Sequence, residues 1–170
     1  GFTFGLATAL VNNADSFYQR IWVVDNSGSM EIDDGNKIVV KDDGRVDFQA
    51  GVTRWEELQD TVLYHAEVAA TMGSYTCFRL LNDPGRTVGQ REVSIGSAAD
   101  GRRSVEDELR RVRRTMMKVR PEGVTPLTQH IQAMEAEIRE LLPQLQASGK
   151  RIAVILATDG LLSDAQGYGG

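Results

Sequence analysis

The chain has 170 residues, 41% of them apolar and 25% charged, which is the composition of one ordinary folded domain and excludes a wholly disordered chain. No apolar stretch approaches the ~18 residues of a membrane-spanning helix, and the N-terminus lacks a basic segment ahead of its apolar residues, so neither a span nor a signal peptide is read. One cysteine, Cys77, excludes an internal disulfide and a multi-cysteine zinc site, and a net charge of −5 disfavours nucleic acid as a partner.

Charge is unevenly spread. Residues 31–47 hold six acids against three bases, whereas residues 102–120 hold eight bases against three acids. Residues 1–19 are read as an N-terminal helical extension, and residues 20–170 as the main domain. The first strand is predicted at residues 20–24 (RIWVV), a run without polar alternation that suits a strand covered on both faces. Residues 31–48 carry two Asp-Asp-Gly turn signals around Lys37-Ile-Val-Val-Lys41 and read as an inserted acidic hairpin.

A helix then follows Thr53, with Glu56 as its capping-box partner and an apolar stripe of Trp55, Leu58, Val62, Ala66 and Ala69. Residues 75–81 read as a second strand. Residues 87–95 read as a third, more polar strand, hence one at an edge. Ser104 opens a helix with Val105, Leu109, Val112, Met116 and Val119 on one face and Arg110, Arg111, Arg113, Arg114 and Lys118 on the other. That basic face is read as solvated, as is the acidic hairpin, although phosphate or an acidic partner for the first and a second cation for the other are alternatives. A long helix carries Leu127, Ile131, Met134, Ile138, Leu141 and Leu145, with Pro143 kinking or shortening it and Gly149 stopping it. Residues 151–158 (RIAVILAT) read as the most buried strand. His65, His130, Cys77 and Trp55 read as packing residues, with His130 close enough to Thr125 to support it. The alternation of strands and helices gives an α/β fold with a mainly parallel sheet.

Two of these strands end in aspartate, Asp25 and Asp159, and ligands of open parallel sheets bind beyond the carboxyl ends of the strands. In Asp25-Asn-Ser27-Gly-Ser29 a carboxylate and two hydroxyls alternate, so a tight loop can turn all three toward one point. An all-oxygen set without sulfur or imidazole suits a hard divalent cation, magnesium by default. Few carboxylates leave such a cation with net positive charge and room for one more anionic ligand.

The Asp25-x-Ser27-x-Ser29 loop after an apolar strand resembles the metal-ion-dependent adhesion site (MIDAS) of the von Willebrand factor A (vWA) domain. Gly123-Val-Thr125-Pro-Leu127 resembles that family's second loop, and Ala157-Thr158-Asp159-Gly160 its third. The resemblance covers residues 20–160. It implies a three-layer Rossmann-like open sheet, mainly parallel with one antiparallel edge strand and helices on both faces. It also implies a metal set of Asp25, Ser27, Ser29, Thr125 and Asp159, holding Mg2+ (or Mn2+ or Ca2+). In the family the hydroxyls bind the metal directly, the aspartates often act through water, and a partner's acidic residue fills the open position. The acidic insertion is longer than the family needs, and the family's sheet continues with two more strands. The C-terminal strands are therefore expected to be missing, with a longer protein or a partner covering the edge of residues 151–158.

The leading expectation is a non-enzymatic, metal-dependent protein-interaction module, an adhesion or scaffold element whose partner offers an Asp or Glu carboxylate. No triad and no GxxxxGK[ST] loop accompanies the site. A structural subunit with a vestigial metal site, or a magnesium-dependent phosphoryl transferase or hydrolase, is the alternative. An intracellular location is favoured by the absence of a signal and of disulfides.

Overall fold

The first strand, β1, spans Phe17–Val24 and starts three residues ahead of the predicted run. It is one of the two inner strands of a four-stranded sheet in a computed structural model that describes residues 15–96 and 104–160, together with Gly5 and Thr8. The expected N-terminal helical extension lies largely outside the described residues. β2 (Gly35–Val40) and β3 (Val46–Val52) form a separate antiparallel hairpin, with Ile38 opposite Phe48 and Val40 opposite Val46. The second Asp-Asp-Gly makes its turn, and the first leads into it.

Helix α1 (Arg54–Thr71) begins as its sequence dictates. The Thr53 side chain accepts from the Glu56 N–H at 3.1 Å and the Glu56 carboxylate accepts from the Thr53 N–H at 2.9 Å, a reciprocal cap worth about 1 kcal/mol. β4 (Thr76–Leu80) pairs parallel with β1, and β5 (Glu92–Ile95) pairs antiparallel with β4. β5 is shorter than the predicted 87–95, because residues 86–88 form a turn. Helix α2 (Val105–Lys118) is capped by Ser104, and helix α3 (Leu127–Ser148) runs through Pro143 to end at Gly149, whose φ of +65° is the left-handed stop that glycine tolerates best. β6 (Arg151–Ala157) returns parallel to β1. The sheet order is β5-β4-β1-β6, an α/β arrangement of mostly parallel strands with one antiparallel pair.

Alternate residues of β1 feed two apolar clusters, as the pleat requires. Trp22 and Val24 join Phe78, Leu80 and Ile95 with Trp55, Val62 and Ala66 of α1 and Val112 and Met116 of α2. Ile21 and Val23 join Leu81 and Met134 of α3, with Leu127 and Ile152 packed against them. His65 lies in the apolar surroundings expected of it, its ring 4.7 Å from that of Trp22, and Cys77 is buried.

Three expectations are corrected. Strand β6 is not the most buried strand: it has one neighbour among the described strands, none of its residues is buried, and Val154 and Leu156 are exposed. An apolar run without alternation reports that both faces can be covered, not how many neighbours the strand has. Val105 of α2 and Ile131 of α3 are likewise exposed, although they belong to the predicted stripes. Both lie in the first two turns of their helices. No helix among the described residues is long and apolar enough to cross a membrane.

Candidate functional site

The parallel register sets Val24 of β1 beside Leu80 of β4 and Ala157 of β6, so the loops after all three strands leave the same rim of the sheet. Asp25 is held there by the end of β6 and by its own loop. Its N–H donates to the Ala157 carbonyl at 2.9 Å, its Oδ2 accepts from the Thr158 hydroxyl at 2.7 Å, and its Oδ1 accepts from the Ser27 N–H at 2.9 Å. Neutral donors thus meet both oxygens of a side chain that is only 1% exposed.

The chain then turns through a short 3-10 segment, Gly28–Glu31. That turn brings the Ser27 and Ser29 hydroxyls to 3.1 Å from one another, Ser27 buried and Ser29 half-buried. The second loop is tied to the first by backbone bonds. The Gly28 N–H donates to the Gly123 carbonyl at 3.1 Å, and the Glu122 N–H donates to the Asn26 carbonyl at 2.9 Å. Gly123 adopts φ +83°, a conformation that a side chain would strain. Thr125, two residues on, is buried.

A residue that the sequence reading passed over organises this junction. Asn26 is fully buried; its Oδ1 accepts from the Asn82 N–H at 2.7 Å and its Nδ2 donates to the Asn82 carbonyl at 3.3 Å. The Asn82 side chain in turn donates to the carbonyls of Glu122 and Val124, at 3.0 and 2.8 Å. Two asparagines at the ends of adjacent parallel strands thus clamp the first and second loops. The available signal was their position: amide side chains immediately after two apolar strands.

Asp159 sits one residue past Thr158, with its side chain 5% exposed, but its carboxylate turns to Arg54 at the start of α1. Arg54 Nη1 donates to Asp159 Oδ2 at 2.8 Å, while Nε and Nη2 grip Asp34 at 2.7 and 2.6 Å. Bonds first to Asp34 and then to Asp159 hold the guanidinium well above its usual pKa, and the same bond holds Asp34 below the usual carboxylate range. A cavity of about 480 Å³ opens here, with Asp34, Arg54, Thr158 and Asp159 in its wall.

The structure therefore brings Asp25, Ser27 and Ser29 together, fastens the Thr125 loop to them, and places Asp159 at the same rim on an arginine. Among the described residues no group of three or more His, Cys, Asp or Glu side chains is placed to hold a metal. The candidate set offers two carboxylates and three hydroxyls, a donor chemistry that suits a hard cation keeping several waters. In the acidic hairpin Asp34, Asp43 and Asp47 are each ion-paired, with Arg54, Arg45 and Lys41. The His130 ring meets the guanidinium of Arg91. Burial, and then that cation, push the His130 pKa below its ordinary value.

No protein-family profile, curated protein or solved structure matches this chain.

Proposed function

We propose that the rim at Asp25 is a divalent-cation site of the vWA type, and that the protein is a metal-dependent binding module for a partner's acidic side chain. The observation that carries this reading is the fastening of three loops at one rim: Asp25 to Ala157 and Thr158, and Gly28 to Gly123. Ser27, Ser29 and Thr125 would hold Mg2+ (or Mn2+ or Ca2+) through their hydroxyls, with Asp25 and Asp159 acting through water. A bound cation would supply a positively charged open position for a carboxylate oxygen. The protein's own residues do the rest. Neutral donors orient the Asp25 carboxyl group, and the Asn26–Asn82 clamp sets the spacing of the first two loops. The feeding of two apolar clusters by alternate residues of β1 supports a three-layer, Rossmann-like arrangement on the same footing.

Paramagnetic Mn2+ tests the location. Added at low stoichiometry, it should broaden the amide resonances of residues 25–29, 123–126 and 158–160 before any others, and Mg2+ in excess should restore them. Broadening confined to the acidic hairpin would exclude the site.

One observation favours a second reading, a structural subunit with a vestigial site. Arg54 already places a positive charge on Asp159, at 2.8 Å. If that charge stands in for the cation, an Arg54→Gln variant gains Mn2+ affinity that the unaltered protein lacks.

A further inference from the structure

In the hairpin, β2 alternates between half-buried and exposed residues, whereas β3 is exposed on both faces up to Gly51. Lys37 and Val39 are half-buried, and Lys37 reaches Asp60 of α1 at 2.8 Å. The other face carries Ile38, Val40, Val46 and Phe48, exposed by 63, 66, 60 and 73%. Ile38 lies opposite Phe48 and Val40 opposite Val46, so the four form one contiguous apolar face. Tyr64 of α1, also exposed, shares with Ile38 and Phe48 the wall of a cavity of about 560 Å³. Glu57 and Thr61 line both this cavity and the one that reaches Asp159, so the apolar face adjoins the candidate metal rim. Single exposed apolar residues are ordinary, but a clustered face rimmed by charge marks a contact surface.

The rim identifies the occupant. Residues 31–60 hold nine acids against four bases, an excess equal to the net −5 of the whole chain. All four bases are engaged by acids: Lys37 by Asp60, Lys41 by Asp47, Arg45 by Asp43, and Arg54 by Asp34 and Asp159. The surroundings therefore stay negative, which repels an anionic membrane surface and nucleic acid. We propose that the outward face of the hairpin docks a segment of a different protein, one that carries two or more large aliphatic or aromatic side chains flanked by lysines or arginines. The apolar side chains cover Ile38, Val40, Val46 and Phe48, and the basic flanks meet the acidic rim. This surface goes beyond the cation reading and acts with or without a metal.

The test is selection of displayed peptides of about twelve residues on the protein in EDTA, followed by anisotropy titration of the enriched peptide after synthesis. The enriched sequences should pair large apolar residues with Lys or Arg. Affinity should fall on the order of tenfold or more in Phe48→Asp, and several-fold from low to physiological salt. Adding Mg2+ should leave it unchanged. A Val40→Thr, Val46→Thr variant, which alters only exposed side chains, should weaken the same peptide and guards against misfolding of Phe48→Asp. Acidic consensus sequences, or binding indifferent to both variants, would overturn the proposal. So would self-association in sedimentation velocity that Phe48→Asp abolishes, which would make a second copy the occupant. Binding to phosphatidylserine vesicles abolished by the same change would overturn it in favour of a membrane.

Discussion

Within thirty residues the chain does two opposite things. The loop after β1 buries Asp25, Asn26 and Ser27 at 1% exposure or less, and a few residues on the hairpin exposes four large apolar side chains. Both reverse the usual partition, and both are informative for that reason: a buried polar group must find partners, and a clustered exposed apolar group is stabilised only when something covers it. The first region has found its partners inside the molecule. In the hairpin Ile38, Val40, Val46 and Phe48 stay exposed, although Ile38 and Phe48 share a cavity wall with Tyr64 of α1. The difference separates a rigid, internally satisfied rim from a surface left for contact.

The sharpest way to break the comparison is to remove the internal partners. Asn26→Ala strips the Asn82 N–H of its acceptor and should cost about 1–3 kcal/mol in urea unfolding, because a buried donor left unmade loses its full desolvation energy. A loss below a few tenths would show that the clamp is not structural. Arg54→Gln should have a smaller effect on global stability, about 1 kcal/mol, since the Asp34 partner is exposed while the nearly buried Asp159 carboxylate loses this partner. It should, however, speed amide hydrogen exchange in residues 35–52, because Arg54 ties the hairpin to the third loop. Unchanged exchange would mean that packing on α1 alone holds the hairpin.

The pH dependence distinguishes buried from exposed groups as well. Burial lowers the pKa values of His65 and His130, so the unfolded chain takes up these protons first as pH falls. Stability should be at its plateau above the ordinary histidine value near 6.5 and decline as pH drops through and below it. His65→Gln and His130→Gln should each flatten that decline in urea midpoints measured from pH 7.5 to 5, which a titration of exposed groups would not do. The smallest effect belongs to the hairpin face. Phe48→Ser should change stability by no more than about 0.5 kcal/mol, as surface substitutions do. A loss of several kcal/mol would place Phe48 in a core and remove the docking surface.

Local chemistry was legible in the sequence wherever it acted locally. Thr53 with Glu56 announced the start of α1, Gly149 the end of α3, and the aspartates after two apolar runs announced the rim. Edge placement of the third strand followed from its polar character. What could not be read was pairing between distant residues. The run RIAVILAT alone does not say that β6 has one neighbour among the described strands, because composition records the faces of a strand and not its edges; the open edge of residues 151–158 was expected only from the family resemblance. The Arg54 bridge joins Asp34 ahead of the hairpin to Asp159 after β6, and it exists only once the hairpin folds back on α1. Asn26 and Asn82 are far apart in the chain and meet only through the parallel register of β1 and β4. The hairpin was legible from its turn signals, but the exposure of Ile38 and Phe48 was not, because Lys37 meets Asp60 only in the folded chain.

The measurement that bears most directly on the rim is calorimetric titration of Mg2+ and Mn2+ into the protein and into an Asp25→Ala, Thr125→Ala variant, each with and without acetate, after far-UV circular dichroism has shown both to be folded. The account predicts binding that disappears in the variant and tightens when acetate is present, because the open position takes a carboxylate. Absence of binding in the folded, unaltered protein, or equal binding in the variant, would contradict a cation site at Asp25.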